Sequence, residues 1–312
     1  MSRMLLCVCV LAFFSLTKKG YAAPYYQGEQ VCAECHEAES SIWEETKHAQ
    51  SFGAVHKAEK AGDILKAAGG SPNMKRNSVC TQCHYTMVQS DAQAAPVAKS
   101  GPSCERCHGA SSDYVKIHNN YGGPNMKAAD ETPAHKTERL QKAAKAGMQW
   151  PSDKYAIAGN CMGCHGLTNP NVDKAILAKM LAAGHPDGSA FELVRYSQGN
   201  VRHRFYPPKM TENATLDTPA LAQMYMQGQA ASLVAASAAL LAGGKDATYQ
   251  KIQTQRMEQA KKALSLFKTS EAKAFASDPN EQTARAFLKS IEKQDVSKTI
   301  QSLLPDPKTY KQ

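Results

Sequence analysis

Cys104-Glu105-Arg106-Cys107-His108 is the stretch whose reading decides what kind of fold this chain can form. It is one of four copies of C-x-x-C-H, the others running Cys32–His36, Cys80–His84 and Cys161–His165. Two cysteines three apart can form thioethers with the two vinyl groups of one haem. The histidine that follows is then placed beneath the iron. With 10 Cys and 10 His in 312 residues, one chance copy is expected in roughly one such chain in a hundred. Four by chance are excluded. A zinc site wants two C-x-x-C pairs brought together and has no need of His after each second Cys. A redox dithiol occurs once, at the start of a helix in a strand-rich fold. The expectation is four covalently bound haem c groups, attached at Cys32, Cys35, Cys80, Cys83, Cys104, Cys107, Cys161 and Cys164. The proximal ligands are then His36, His84, His108 and His165.

The first residues fit that chemistry, because haem is attached to such motifs outside the cytoplasmic membrane. Arg3, the apolar run Met4 to Leu16 and the small-x-small sequence Gly20-Tyr21-Ala22 have the layout of a secretory signal cleaved after Ala22. The run is too short to span a bilayer, and it would remove Cys7 and Cys9. All eight remaining cysteines are then used by haem, so no disulfide or free thiol is expected. No later stretch predicts a membrane span: the longest apolar one, Ala230 to Ala242, is short and rich in Ala and Ser. Aromatic residues make up only 7%, a shortfall that four macrocycles would fill. The formal charge of +9 includes Arg3, Lys18 and Lys19. Residues 23–212 carry 21 Lys and Arg against 19 Asp and Glu, and residues 213–312 carry 13 against 9. The basic excess of the mature chain therefore lies mostly in the tail. It hints at an acidic partner and gives no reason to expect nucleic acid.

Along the chain, residues 1–22 are expected to be a signal peptide, 23–212 a tetrahaem cytochrome domain and 213–312 a C-terminal helical extension. The fold class is mainly α: a compact multihaem cytochrome with long loops plus a C-terminal α-helical segment. Cys32 to Lys60 predicts continuous helix, ended by Gly69-Gly70-Ser71-Pro72. The second and third motifs, 24 residues apart, must hold neighbouring haems. Helices are expected near Thr137 to Ala146 and Val172 to Ala183. Residues 217–304 contain no Cys or His and predict four helices, broken at Gly243-Gly244, near Asp278-Pro279 and near Asp295. Tyr249, Ile252, Ala260, Leu264 and Phe267 share one helical face there, as a helical hairpin laid over the haem core requires.

Six histidines remain for the far faces of the irons: His48, His56, His118, His135, His185 and His203. Met87 and Met162, close to motifs, are expected to be packing residues. On a continuous helix His48 would lie about 18 Å from His36, too far for both to hold one iron, since two His ligands on one iron have Cα atoms about 13 Å apart. His48 should thus serve another haem. His118, ten residues after His108, meets the same difficulty, and reciprocal exchange between the first and third haems is the simplest solution.

Cys32–His36 with Trp43 and His48-Ala49 resembles the first haem segment of the tetrahaem cytochrome c-554 family. Gly101-Pro102-Ser103-Cys104-Glu105-Arg106-Cys107-His108-Gly109 with His118 resembles its third. The order and rough spacing of all four motifs agree across about residues 28–205. The resemblance implies a mostly helical fold with closely packed haem pairs. It implies His118 for the first iron, His48 for the third and His203 for the fourth, and a five-coordinate second haem. His185, in Gly184-His185-Pro186, departs from that pattern and could close the second site or take the fourth iron in place of His203. His56 and His135 are expected to be solvated or to support other ligands.

Bis-histidine irons have low potentials and no open position for a substrate. The expected function is therefore electron carriage in the periplasm, between a redox enzyme and another cytochrome or membrane respiratory component, with no catalytic residues. The resemblance adds a multihaem hydroxylamine oxidoreductase-like donor. Two alternatives stand beside it. One is a reductase of nitric oxide or another nitrogen oxide at an open second haem. The other is a subunit of an extracellular electron conduit, with residues 213–312 as the contact surface.

Overall fold

The computed structural model describes residues 23–123, 125–206, 209–243 and 246–312. The expected signal segment, residues 1–22 with Cys7 and Cys9, lies outside the described residues. The fold is mainly α, as the sequence predicts. Its first half consists of short helices: α1 (Glu29–Ala33), α2 (Glu37–Glu44), α3 (Lys47–Ala54) and α4 (Ala61–Ala68). The helix expected from Cys32 to Lys60 is therefore broken. Thr46, at ψ 158°, ends α2 and caps α3 by accepting a hydrogen bond from the Ala49 amide. His36 occupies the residue before α2. The glycine break is as expected: α4 stops at Ala68, and Gly69 has φ 70°.

The only strands among the described residues, β1 (Thr86–Val88) and β2 (Val97–Ser100), form an antiparallel hairpin between the second and third motifs. Its buried Thr86 hydroxyl donates to the Gly101 carbonyl (2.9 Å) and accepts from the Ser103 amide (3.0 Å). This fixes the backbone that enters α5 (Cys104–His108). Inside that motif Glu105, 1% exposed, accepts from the amides of Gln27, Gly28 and Ser111 and so ties the segment before α1 to the third motif. The remaining elements of this half are α6 (Val115–His118), α7 (Pro133–Lys145), α8 (Lys154–His165), α9 (Lys174–Ala182) and α10 (Leu193–Ser197).

From Thr218 the helices lengthen: α11 (Thr218–Leu241), α12 (Ala247–Leu264), α13 (Ser270–Ser277) and α14 (Glu281–Ile291). Four helices are present, as expected, but one break falls at residues 265–269. The segment after Asp295 contains only the single turns Gln301–Leu303 and Pro307–Thr309. α11 is apolar around almost its whole circumference because it packs on α8 along one side and α12 along the other. The main core joins both halves of the chain. Tyr155, Ala158, Leu193 and Val194 lie in one apolar cluster with Met226, Leu233, Phe275, Phe287 and Ile291. Phe287 is edge-on to Phe267 (5.4 Å) and stacked near Phe275 (6.1 Å). The five residues placed on one face of α12 and its extension are all buried. At the C-terminus the Lys311 amide donates to the Arg195 carbonyl (2.9 Å), which closes the tail onto α10. No helix among the described residues is long and apolar enough to cross a membrane.

Candidate functional site

Eight of the ten histidines face one another in four pairs. His36, at the start of α2, faces His118, the last residue of α6, with ring centroids 6.3 Å apart. His84, just after the turn Cys80–Gln82, faces His185 at 6.0 Å. His108, ending α5, faces His203 at 6.3 Å, and His165, ending α8, faces His48 in the first turn of α3 at 5.9 Å. Each pair thus joins one C-x-x-C-H histidine to one of the spare histidines.

The exchange expected from the sequence is corrected here. His118 does lie opposite His36. His48, however, faces the fourth motif and not the third, and His203 faces the third and not the fourth. His185 takes the place opposite His84. The break at Thr46 turns α3 away from the line of α2 and carries His48 towards α8. His56 is exposed, and His135 pairs with Glu131 (2.7 Å); neither faces a motif histidine.

Two features test whether these residues fit haem iron. A metal held by two imidazoles through bonds of about 2 Å would separate their ring centroids by about 6 Å, which is the spacing found. Ring chemistry also agrees. The Nδ1 atoms of His108, His118, His185 and His203 lie 3.0, 2.7, 2.9 and 2.6 Å from the carbonyls of Gln149, Val115, Pro186 and Val201. A carbonyl can only accept, so Nδ1 carries the proton and Nε2 keeps the lone pair a metal needs. Burial, followed by the charge of the facing ring, brings His84 and His165 down to about 4. Burial also lowers His48, His108, His118 and His185. Neutral, aimed imidazoles are what a metal ion needs. Among the described residues no group of three or more His, Cys, Asp and Glu side chains gathers as a zinc site requires.

Thiols of different motifs come side by side. The Cys32 and Cys104 thiols are within hydrogen-bonding reach, as are those of Cys83 and Cys164. Arg106, inside the third motif, crosses to the second and fourth. Its Nη2 donates to the Gln82 carbonyl and lies 4.0 Å from Cys164 Sγ, and its Nη1 donates to the Tyr26 hydroxyl (3.2 Å). The second and third motifs are thus neighbours, as their spacing predicts. The thiol contacts, in addition, place the first motif beside the third and the second beside the fourth.

Backbone contacts hold these histidines in place. A Cβ on Gly101 would overlap the His48 carbonyl oxygen and press on Ser51 Oγ at 2.7 Å. Gly101→Ala is therefore expected to push α3 away from the segment that enters α5 and to cost about 1–3 kcal/mol. In a thermal melt, Gly101→Ala should unfold at lower temperature than the parent; an unchanged melting temperature would show that α3 needs no such close approach. Near the first pair, Arg139 donates to the His118 carbonyl (2.5 Å) and to both oxygens of Glu131. The Arg139 guanidinium, with His135 assisting, holds the Glu131 carboxyl down to about 2.

Three residues of the tail close on the fourth motif. Leu167 has φ 56°, the only positive value for a non-glycine among the described residues, and leaves the last carbonyls of α8 pointing outward. Buried side chains on one face of α12 meet them. Tyr249 Oη donates to the Leu167 carbonyl (2.9 Å), Gln253 Nε2 to Gly166 (2.9 Å) and Arg256 Nη2 to His165 (3.1 Å). Tyr249 lies on the face expected from the sequence, whereas Gln253 and Arg256 are not among the residues expected there. Their signal is polar residues four and seven positions after Tyr249 on an otherwise apolar stripe.

Residues 31–109 match the family described as cytochrome c554 and c-prime. Cytochrome c-554 of Nitrosomonas europaea is 25% identical over 166 residues, covering 49% of this chain and 64% of that protein. No solved structure matches the chain.

Proposed function

We propose that the chain is a member of the cytochrome c554 and c-prime family, a tetrahaem c-type cytochrome that carries electrons between redox proteins of the periplasm; the match of residues 31–109 to that family and the likeness to cytochrome c-554 support this. Membership implies covalently bound haem c. The number four is our inference from the four motifs and the four histidine pairs. When bound, haem c supplies one-electron transfer between ferrous and ferric iron.

The chain's own residues do the rest. Cys32/Cys35, Cys80/Cys83, Cys104/Cys107 and Cys161/Cys164 are the attachment points. The ligand pairs are His36 with His118, His84 with His185, His108 with His203 and His165 with His48. Carbonyls of Gln149, Val115, Pro186 and Val201 fix four of those rings with Nε2 inward. Arg106 and the neighbouring thiols keep the four sites within one continuous cluster, as a carrier requires. Residues 213–312 act as a buttress for the fourth site. Partners are proposed to be other cytochromes, a multihaem oxidoreductase or a membrane respiratory component.

The observation that carries the proposal is the set of four facing pairs, above all His185 opposite His84. An imidazole there stands where a nitrogen oxide would have to bind, so the carrier is favoured over a reductase. Mass spectrometry and a ferric spectrum of protein matured in a haem-loading host test it. Four added haems and wholly low-spin iron that ignores cyanide are expected. Fewer haems, or a high-spin species in the intact protein, would overturn the carrier reading.

A further inference from the structure

Between α10, α11, α12 and the turn Gln301–Leu303 lies a cavity of about 480 Å³, a size that holds small organic ligands. Arg195, Arg256 and Lys262 line it, and among the described residues none of the three has a carboxylate within ion-pair distance. Arg256 is only 4% exposed. Its Nη2 is engaged by the carbonyls of His165 (3.1 Å) and Asp187 (3.2 Å), while its Nε, like that of Arg195, has no acceptor. The Asp187 carboxylate acts on Arg256, and that of Glu192 on Arg195, only from beyond ion-pair distance, so the buried guanidiniums are incompletely compensated. The two acids at the wall are already committed. Glu192 accepts from the amides of Val194 and Arg195, and Asp306 from that of Lys308. The wall also contributes Phe191, Leu193, Tyr225 and Leu303, which offer apolar surface.

We propose that this cavity binds a small organic monocarboxylate, with its anionic end on the Arg256 and Arg195 guanidiniums and its apolar body against Phe191 and Tyr225. We propose further that its occupancy is linked to the oxidation state of the site held by His165. Arg256 donates directly to the His165 carbonyl, so its positive charge favours the electron-rich, reduced state of that site. An anion on Arg256 cancels that preference. The ferric protein therefore binds the carboxylate more tightly than the ferrous protein, and by reciprocity the carboxylate lowers the midpoint of one haem transition. This second half rests on the haem assignment above; binding itself does not.

Calorimetric titration of the full-length holoprotein with benzoate, and separately with acetate, tests the cavity. One benzoate per chain is expected, with Kd on the order of 1 mM, and acetate weaker by about tenfold because it leaves the apolar wall uncovered. Arg256→Gln is expected to weaken benzoate about tenfold or more. Lys262→Gln, at an exposed position that does not threaten folding, is expected to weaken it less. Absence of saturable benzoate heat, equal affinity for acetate, or unchanged affinity in both variants would overturn the site. For the link, the titration is repeated on dithionite-reduced protein and the midpoints are measured with and without benzoate. Weaker binding after reduction and one lowered midpoint are expected. Equal affinities in both states would overturn the link. A protein that carries no haem would overturn the preceding proposal, and benzoate binding would still decide the cavity.

Discussion

Deleting residues 213–312 is expected to remove the fourth site, and with it the stable fold. As the sequence alone presents it, the tail looks separable: it carries no Cys or His between 217 and 304, and its charge differs from that of the rest. The packing opposes that. α8, which ends in the fourth motif, lies against α11, and Tyr155, Ala158, Leu193 and Val194 share one core with the tail helices. Leu193 and Val194, 4% and 1% exposed, would each lose about 1.5–3 kcal/mol of burial. The carbonyls of His165, Gly166 and Leu167 would also exchange their donors from α12 for water, a net loss of about 0.5–1.5 kcal/mol each. Against a total stability of roughly 5–15 kcal/mol for a folded domain, that is enough to unfold the α8 region. Expression of residues 1–212 in a haem-loading host checks this. The expected product is insoluble, or carries fewer than four haems by mass. A soluble truncated protein with four low-spin haems would show that the tail is a passenger.

Much of the site is legible in the sequence, and what is hidden is hidden for definite reasons. The eight cysteines and four motif histidines declare themselves because attachment chemistry demands a fixed local spacing. The spare histidines His48, His118, His185 and His203 can be named by counting. Which motif each one faces cannot be read locally, because it depends on how segments far apart in the chain cross. Treating Cys32 to Lys60 as one helix kept His48 on the axis of α2. The cap at Thr46, a single side chain accepting from Ala49, redirects it to His165. The apolar face of α12 was readable from its period. The roles of Gln253 and Arg256 were not, because a buried polar side chain has a meaning only once its acceptors, here the carbonyls after His165, are known. The hairpin β1–β2 escaped for a similar reason: its strands are three and four residues long, too short for alternation to show.

On the proposed four-haem reading, His185→Gly is expected to change one haem from low-spin to high-spin and to leave the rest of the protein almost untouched. His185 follows Gly184, at φ 97°, in the turn that ends α9, and its ring makes one hydrogen bond, to the Pro186 carbonyl (2.9 Å). Its contribution to packing is small, so a stability change within about 1 kcal/mol is expected. Its contribution opposite His84 is the whole of that side's imidazole. Removing it exposes the position the reductase alternative requires. The ferric variant should show a high-spin band, bind cyanide and nitric oxide where the parent does not, and return to low-spin on addition of free imidazole. That rescue distinguishes a lost ligand from a distorted fold, since an exogenous ring can replace a missing side chain but cannot repair misfolding. His135→Gly serves as the control. His135 is held by Glu131 and faces no motif histidine, so its removal should leave every haem low-spin. If His185→Gly stays wholly low-spin and indifferent to cyanide, His185 is no ligand and the second site is completed from elsewhere. If His135→Gly instead produces the high-spin species, the pairing of rings across the four sites is wrong.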